Sequence, residues 1–343
     1  NVINWNGLFN KGAKFAVKLN TKRTMLVGLA FLSICIFWQM YDSVMTLILT
    51  DTFHLNETIA GAVMAADNVL ALFLLPLFGA LSDKTNTRIG RRMPYIIGGT
   101  AAAVVLMNLL PVLDNAYAAS PSPLILGLFI AVLALLLVAM GVYRSPAVAL
   151  MPDVTPKPLR SRGNAVINLM GSAGGIIVLA LGMVFATASV SNSMMSYTGY
   201  FGVIAALMLA ALVVFMLTVR EPEWAREMQA QSVAAGVENA EEADHPNEGR
   251  KLSADEVKSL LLILLSIVLW FFGYNAVTSK YSVYASNILH KDYNLTLIIA
   301  QAAAIAAYLP VGFIAGKIGR KKTILAGVVM LTVAFGVAGF LTA

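Results

Sequence analysis

Runs of about 20 apolar residues recur from Thr24 almost to the last residue, the length a helix needs to cross a bilayer core about 30 Å thick. Nine are read, at 24–50, 58–81, 94–113, 123–145, 164–190, 197–218, 255–284, 296–316 and 323–341. In lipid the backbone polar groups must be satisfied inside a helix or a closed barrel. These runs are too long and too uniformly apolar for the alternating strands of a barrel. The expected class is an all-α integral membrane protein, with only 12% charged residues against the ~25% usual for soluble domains.

A single cysteine, Cys35, excludes an internal disulfide, and His54, His245 and His290 all fall in polar stretches between apolar runs. No metal site, no cofactor and no histidine chemistry within the membrane are expected. The net charge of +6 does not point to nucleic acid, because the basic residues sit in short loops between spans. Of 24 Lys and Arg residues, 21 fall on one side if every run crosses, which predicts a cytoplasmic amino terminus. The first run lacks a cleavage site after a short core, so it reads as a retained span in the cell membrane.

Residues 219–254 hold eight acids and four bases and few large apolar residues, and read as a solvated cytoplasmic linker, partly helical or disordered. The expected organisation is a cytoplasmic segment 1–23, a six-helix bundle 24–218, the linker 219–254, and three helices of a second bundle over 255–343. An internal repeat supports it. Trp38 and Tyr41-Asp42-Ser43-Val44 correspond to Trp270 and Tyr274-Asn275-Ala276-Val277, Asn56-Glu57-Thr58 to Asn294-Leu295-Thr296, and Gly90-Arg91-Arg92 to Gly319-Arg320-Lys321. The order is the same and the offsets run from 229 to 238 residues. With six helices in one copy and three in the other, the sequence reads as a fragment of a 12-helix chain. Asn56 and Asn294 each begin an Asn-x-Thr match, which a helix cap explains as well as a glycosylation site does.

The loop after the second span contains Gly79, Asp83, Arg88, Gly90, Arg91 and Arg92, with Pro94 opening the next helix. An acid at one helix end facing a guanidinium cluster at another is the chemistry of a charge-assisted latch. The glycines permit close approach and a tight turn. Gly319, Arg320 and Lys321 would form its weaker second copy.

This loop, SDKTNTRIGRRMPY from Ser82 to Tyr95, resembles the signature of the major facilitator superfamily in the form used by its glycoside-pentoside-hexuronide and sucrose-type cation symporters. The second copy and the segment from Tyr143 to Gly175, with Arg144, Pro146, Asp153, Arg160 and Arg162, extend the resemblance over the whole chain. It implies two six-helix halves moving a sugar together with a cation, usually a proton. In the melibiose-type branch two carboxylates on helix 2 bind the cation, and the matching positions here are Ala71 and Leu75, so that sodium site is missing. The sugar-contacting arginine of the sucrose-type branch falls at Val148, with Arg144 one turn earlier on the same face.

Ionisable groups inside spans are costly unless they face water or a partner, which makes them functional candidates. Asp42 lies in a polar patch with Gln39, Tyr41 and Ser43, and Asp67 precedes Asn68 deep in the second span. Either is a candidate proton carrier, with static pairing to Arg144 or Lys280 as the alternative. Lys280 itself reads as an interface anchor. The substrate and coupling candidates are Asp42, Asp67, Asn68, Arg144, Tyr41, Tyr274 and Asn275, with the rings of the first and seventh spans available to stack a sugar. The expected function is cation-coupled, and specifically proton-coupled, symport of a sugar or glycoside. Export of another small molecule and a solute sensor are the alternatives. An enzyme is not expected, since no nucleophile elbow or His-Glu-x-x-His motif occurs.

Overall fold

The computed structural model describes residues 19–156, 159–188, 196–234, 253–278, 280–338 and 340. Expectations that fall on residues 1–18 and 235–252 lie outside them. Helix α1 (Thr21–Leu47) begins where the Asn20 side chain accepts from the Arg23 N–H at 3.1 Å, and ends in a widened π turn, Ile48–Thr52. Helix α2 (Glu57–Lys84) is capped by Asn56, whose Oδ1 accepts from the Ile59 N–H at 2.8 Å. Helix α3 (Met93–Ala119) has proline in its first turn, where the missing N–H costs nothing. Helix α4 (Pro123–Asp153) starts on Ser122, α5 is Arg160–Val184 and α6 is Thr198–Thr218. Helix α7 (Glu221–Ala234) lies within the linker expected to be partly helical or disordered. Then come α8 (Ala254–Thr278), α9 (Tyr281–Asn287), α10 (Tyr293–Ile318) and α11 (Arg320–Ala338).

Among the described residues, eight helices are long and apolar enough to span a membrane. The run expected at 296–316 is the 26-residue α10, of which Tyr293–Ala307 is described as an apolar helix. The seventh run, expected to reach Tyr284, lies within one candidate span, Ala254–Asn287. Along it Lys280 Nζ donates to the Glu57 carbonyl at 2.7 Å and lies 4.0 Å from its carboxylate. Lys280 therefore ties the segment before α9 to the start of α2. Asn294 is fully buried and donates to Thr187, while the Asn294 N–H itself is held by the Asp292 side chain at 2.8 Å. Of the two Asn-x-Thr sites, only Asn56 acts as the cap.

In the body formed by α1 to α6, α1 packs along α5, α3 along α4, α2 against α4, and α6 against α1 and α3. The α1–α5 approach depends on small residues: a side chain at Gly174 would stand 2.8 Å from the Leu32 carbonyl. Phe37, Met40, Tyr41, Met107, Phe129, Met140, Tyr143, Tyr200 and Phe201 fill the core. Outside it, apolar side chains face outward, such as Phe73, Leu124 and Leu217, and α8 has no buried residue. This is a lipid-facing surface, and the protein is a multi-pass integral membrane protein.

Residues of α9 and α10 meet the first body at the end remote from the basic loops. Tyr293, Val283 and Ala285 pack on Leu47, and Tyr293 Oη donates to Thr187 Oγ1 at 2.7 Å. Gly90 (φ +124°) and Gly319 (φ +93°), corresponding positions of the repeat, are the only glycines with positive φ among the described residues. The two copies thus share a backbone conformation that side-chain-bearing residues avoid.

Candidate functional site

Asp67 on α2 and Arg144 on α4 come together beside Trp38 of α1, and Asp42, further along α1, interacts electrostatically with both. Trp38, one turn before Asp42, lies beneath the Arg144 guanidinium, whose Cζ is 5.3 Å from the ring centroid. Trp38, Asp67, Ala71, Leu75, Gly141 and Arg144 line one narrow crevice between α1, α2 and α4. Arg144 makes no ion pair within 4.0 Å of either aspartate; the three charges sense one another across a gap. Static pairing, the alternative raised by the sequence, is not what the geometry shows. Lys280 is engaged with Glu57.

Asp42 is exposed although its neighbours Tyr41 and Ser43 are buried. It shares a helix face with Cys35, Trp38 and Gln39. That face looks toward α10, because Gln301 Nε2 donates to Gln39 Oε1 at 3.4 Å while Gln39 Nε2 donates to Ser43 Oγ at 3.2 Å. The Gln39–Gln301 bridge was not anticipated from sequence; a lone glutamine in each span is too weak a signal. Tyr41, in contrast, is wholly buried, stacked 5.9 Å from Phe37 and edge-on to Trp38, so it supports the crevice from behind instead of lining it. Its repeat counterpart Tyr274 stacks on Trp270 at 5.3 Å and is exposed.

Asp67 Oδ1 accepts from both the backbone N–H and the side-chain Nδ2 of Asn68, at 2.6 and 2.8 Å. Asn68 Oδ1 in turn accepts from Asn275 Nδ2 at 3.1 Å. The predicted residues Asp67, Asn68 and Asn275 therefore form a chain of hydrogen bonds from α2 to α8.

At the basic end, Arg92 is the centre of the latch. Its buried guanidinium donates to Asp83, to Asp153 Oδ2 at 2.9 Å, to Ser82 Oγ and to the Gly79 carbonyl at 3.4 Å, while Arg91 reaches Asp153 Oδ1 at 3.2 Å. Gly79 lies where α2 meets Ser145 of α4. Arg88 is exposed and makes no ion pair among those described. Gly319 and Lys321 of the second copy are not brought to this cluster, and the Arg320 side chain lies outside the described set.

Two further acids complete the cluster, Asp153 and Glu221. Glu221, the first residue of α7, accepts from the backbone N–H groups of Arg91, Arg92 and Met93 at 3.0 to 3.1 Å, and so caps α3 from 128 to 130 residues away. Burial raises its carboxyl above the ordinary glutamate range, and these N–H donors pull it back. Gly90 makes room for this contact, since a Cβ there would strike the Glu221 carboxylate. Gly90→Ala combines that clash with a strained φ of +124°. It should lower stability by about 1–3 kcal/mol, read as an earlier unfolding midpoint in detergent; an unchanged midpoint would show that the cap is dispensable.

The family model of the Major Facilitator Superfamily matches residues 26–343. The structure is similar to that of the xylose transporter XylE from E. coli in a partially occluded inward open conformation, with a TM-score of 0.62, 16% identity, and coverage of 87% of this chain and 74% of that chain. At this identity the likeness speaks for the fold. No curated protein is similar enough in sequence to count as a match.

Proposed function

This chain belongs to the major facilitator superfamily, and within it we propose a secondary active transporter that carries a sugar or glycoside together with a proton by alternating access across the cell membrane. The observation that carries the reading is that Asp67 and Arg144 line one crevice with Trp38, while Asp42, one turn on from Trp38, interacts electrostatically with both. Ionised, Asp42, Asp67 and Arg144 leave one negative charge in a span, which costs several kcal/mol unless a cation joins it. One proton on one carboxylate restores neutrality. Since the melibiose-type positions Ala71 and Leu75 carry no carboxylate and line the same crevice as Asp67, a proton suits the site better than sodium.

Sugar fits the surroundings. Gln39 and Gln301 offer amide donors and acceptors from both halves, and Trp38 offers a ring face for the apolar side of a pyranose. The excess of Lys and Arg supports a cytoplasmic side for the latch and for the amino terminus. Asp42 and Asp67 are the coupling candidates, and the latch around Arg92 holds one end of the bundle together during the cycle.

The test is uptake of a panel of labelled sugars and glycosides into proteoliposomes under an imposed pH gradient. One pH unit supports about tenfold accumulation for one proton per solute. Asp67→Asn should abolish accumulation while leaving solute exchange across a membrane without a gradient. Gradient-driven accumulation that survives both Asp67→Asn and Asp42→Asn would remove proton coupling from these residues. A panel with no transported member, beside export of an unrelated solute, would replace the sugar reading.

A further inference from the structure

We propose that Asn275 is a positioning residue that, through Asn68, ties the protonation of Asp67 to the contact between α2 and α8. The inference rests on the reading of Asp67 as the proton carrier. It begins from the polarity of the hydrogen-bonded chain. An ionised carboxylate only accepts, so Asn68 must turn its Nδ2 toward Asp67, and does, at 2.8 Å. That choice fixes the other end of the same amide: Asn68 Oδ1 points to α8 and accepts from Asn275 Nδ2 at 3.1 Å.

The Asp67 Oδ1 atom is where both Asn68 donors converge. A proton arriving on that oxygen adds an O–H that needs an acceptor, and the Asn68 amide supplies one by rotating its Oδ1 toward it. Its NH2 group then faces the NH2 group of Asn275, donor against donor, and the bridge to α8 breaks in that register. Loss of the proton restores it.

The charged and titratable groups around Asp67 are Tyr41 and Asp42 on α1 and Arg144 on α4; α8 contributes the amide. Near the end of the α2–α8 seam Lys280 meets Glu57. The repeat gives this a further meaning. Asn275 occupies the position that Asp42 holds in the first copy. Where the first copy keeps a charge, the second has an amide that reads the charge on its neighbour.

The experiment uses spin labels on exposed positions of the two helices, Leu72→Cys on α2 and Leu269→Cys on α8, in a Cys35→Ser background, with distances measured in nanodiscs at pH 5 and pH 8. With Asn275 present, acidification should raise the long-distance population several-fold. In Asn275→Leu that population should be high at both pH values, and Asp67→Asn should remove the pH response. Asn275→Gln, which keeps the amide, should retain the response and guards against a simple folding defect. A response that persists in Asn275→Leu, or is absent from the parent pair, overturns the relay. The uptake assay with Asp67→Asn reads separately whether Asp67 carries the coupling proton, so failure of the relay and failure of the coupling reading are distinguishable.

Discussion

Replacing Arg92 with alanine is expected to destabilise the protein by about 3 kcal/mol, as breaking a buried ion pair does, and to abolish transport. The guanidinium is 5% exposed and holds Asp153, itself 17% exposed, so its removal strands a carboxylate with little access to water. Asp83, at 58% exposure, can turn to solvent and softens the loss. The same deletion frees the Gly79 carbonyl and Ser82 from their shared donor. Arg91 provides the control. It is 44% exposed and makes one pair at 3.2 Å, so Arg91→Ala should cost less than about 1 kcal/mol. Denaturation midpoints of the two variants in one detergent decide the matter. Equal midpoints would mean that the cluster is a positive surface patch and not a latch centred on Arg92.

The second large effect is expected at Arg144. Arg144→Gln leaves Asp42 and Asp67 facing each other with no cation on α4, and an uncompensated charge in a span costs about 2.5–3.5 kcal/mol. Spent in the transport cycle, that is a fall in rate on the order of a hundredfold. Arg144→Lys restores the charge but not the planar group stacked over Trp38 at 5.3 Å. It should recover most of the loss and stay several-fold slow, since cation–π stacking contributes about 0.5–2 kcal/mol. Initial rates of labelled-solute uptake in the three proteins test this order. Indistinguishable rates for lysine and glutamine would tie the role of Arg144 to its shape, while full activity in Arg144→Gln would remove it from the site.

Much of this was legible in the sequence, and the pattern of what was not has physical causes. The helices follow from the length of the apolar runs, and Asp83 with Arg92 could be read because both lie in one short loop. The acids that complete the latch, Asp153 and Glu221, lie 61 and about 130 residues away from it, and local chemistry carries no sign of such a meeting. Asp42 stood out as a charge in a span, but Tyr41 beside it could not be assigned a side, because a helix apolar all round offers no periodicity to orient it. Asn68 and Asn275 were both singled out, one beside a carboxylate and the other in the repeat. That they bond to each other depends on how α8 lies against α2. The contact of Lys280 with Glu57, 223 residues earlier, was not legible because the two are close only after folding.

Helix α7 has a mechanical consequence. Its first residue, Glu221, grips the start of α3, and further along Glu227 grips Arg23 at the start of α1, where Trp224 also lies 5.1 Å from the guanidinium. A load on α7 is therefore shared between two separate moorings on the six-helix body, one on α3 and one on α1, and α6 is spared the strain.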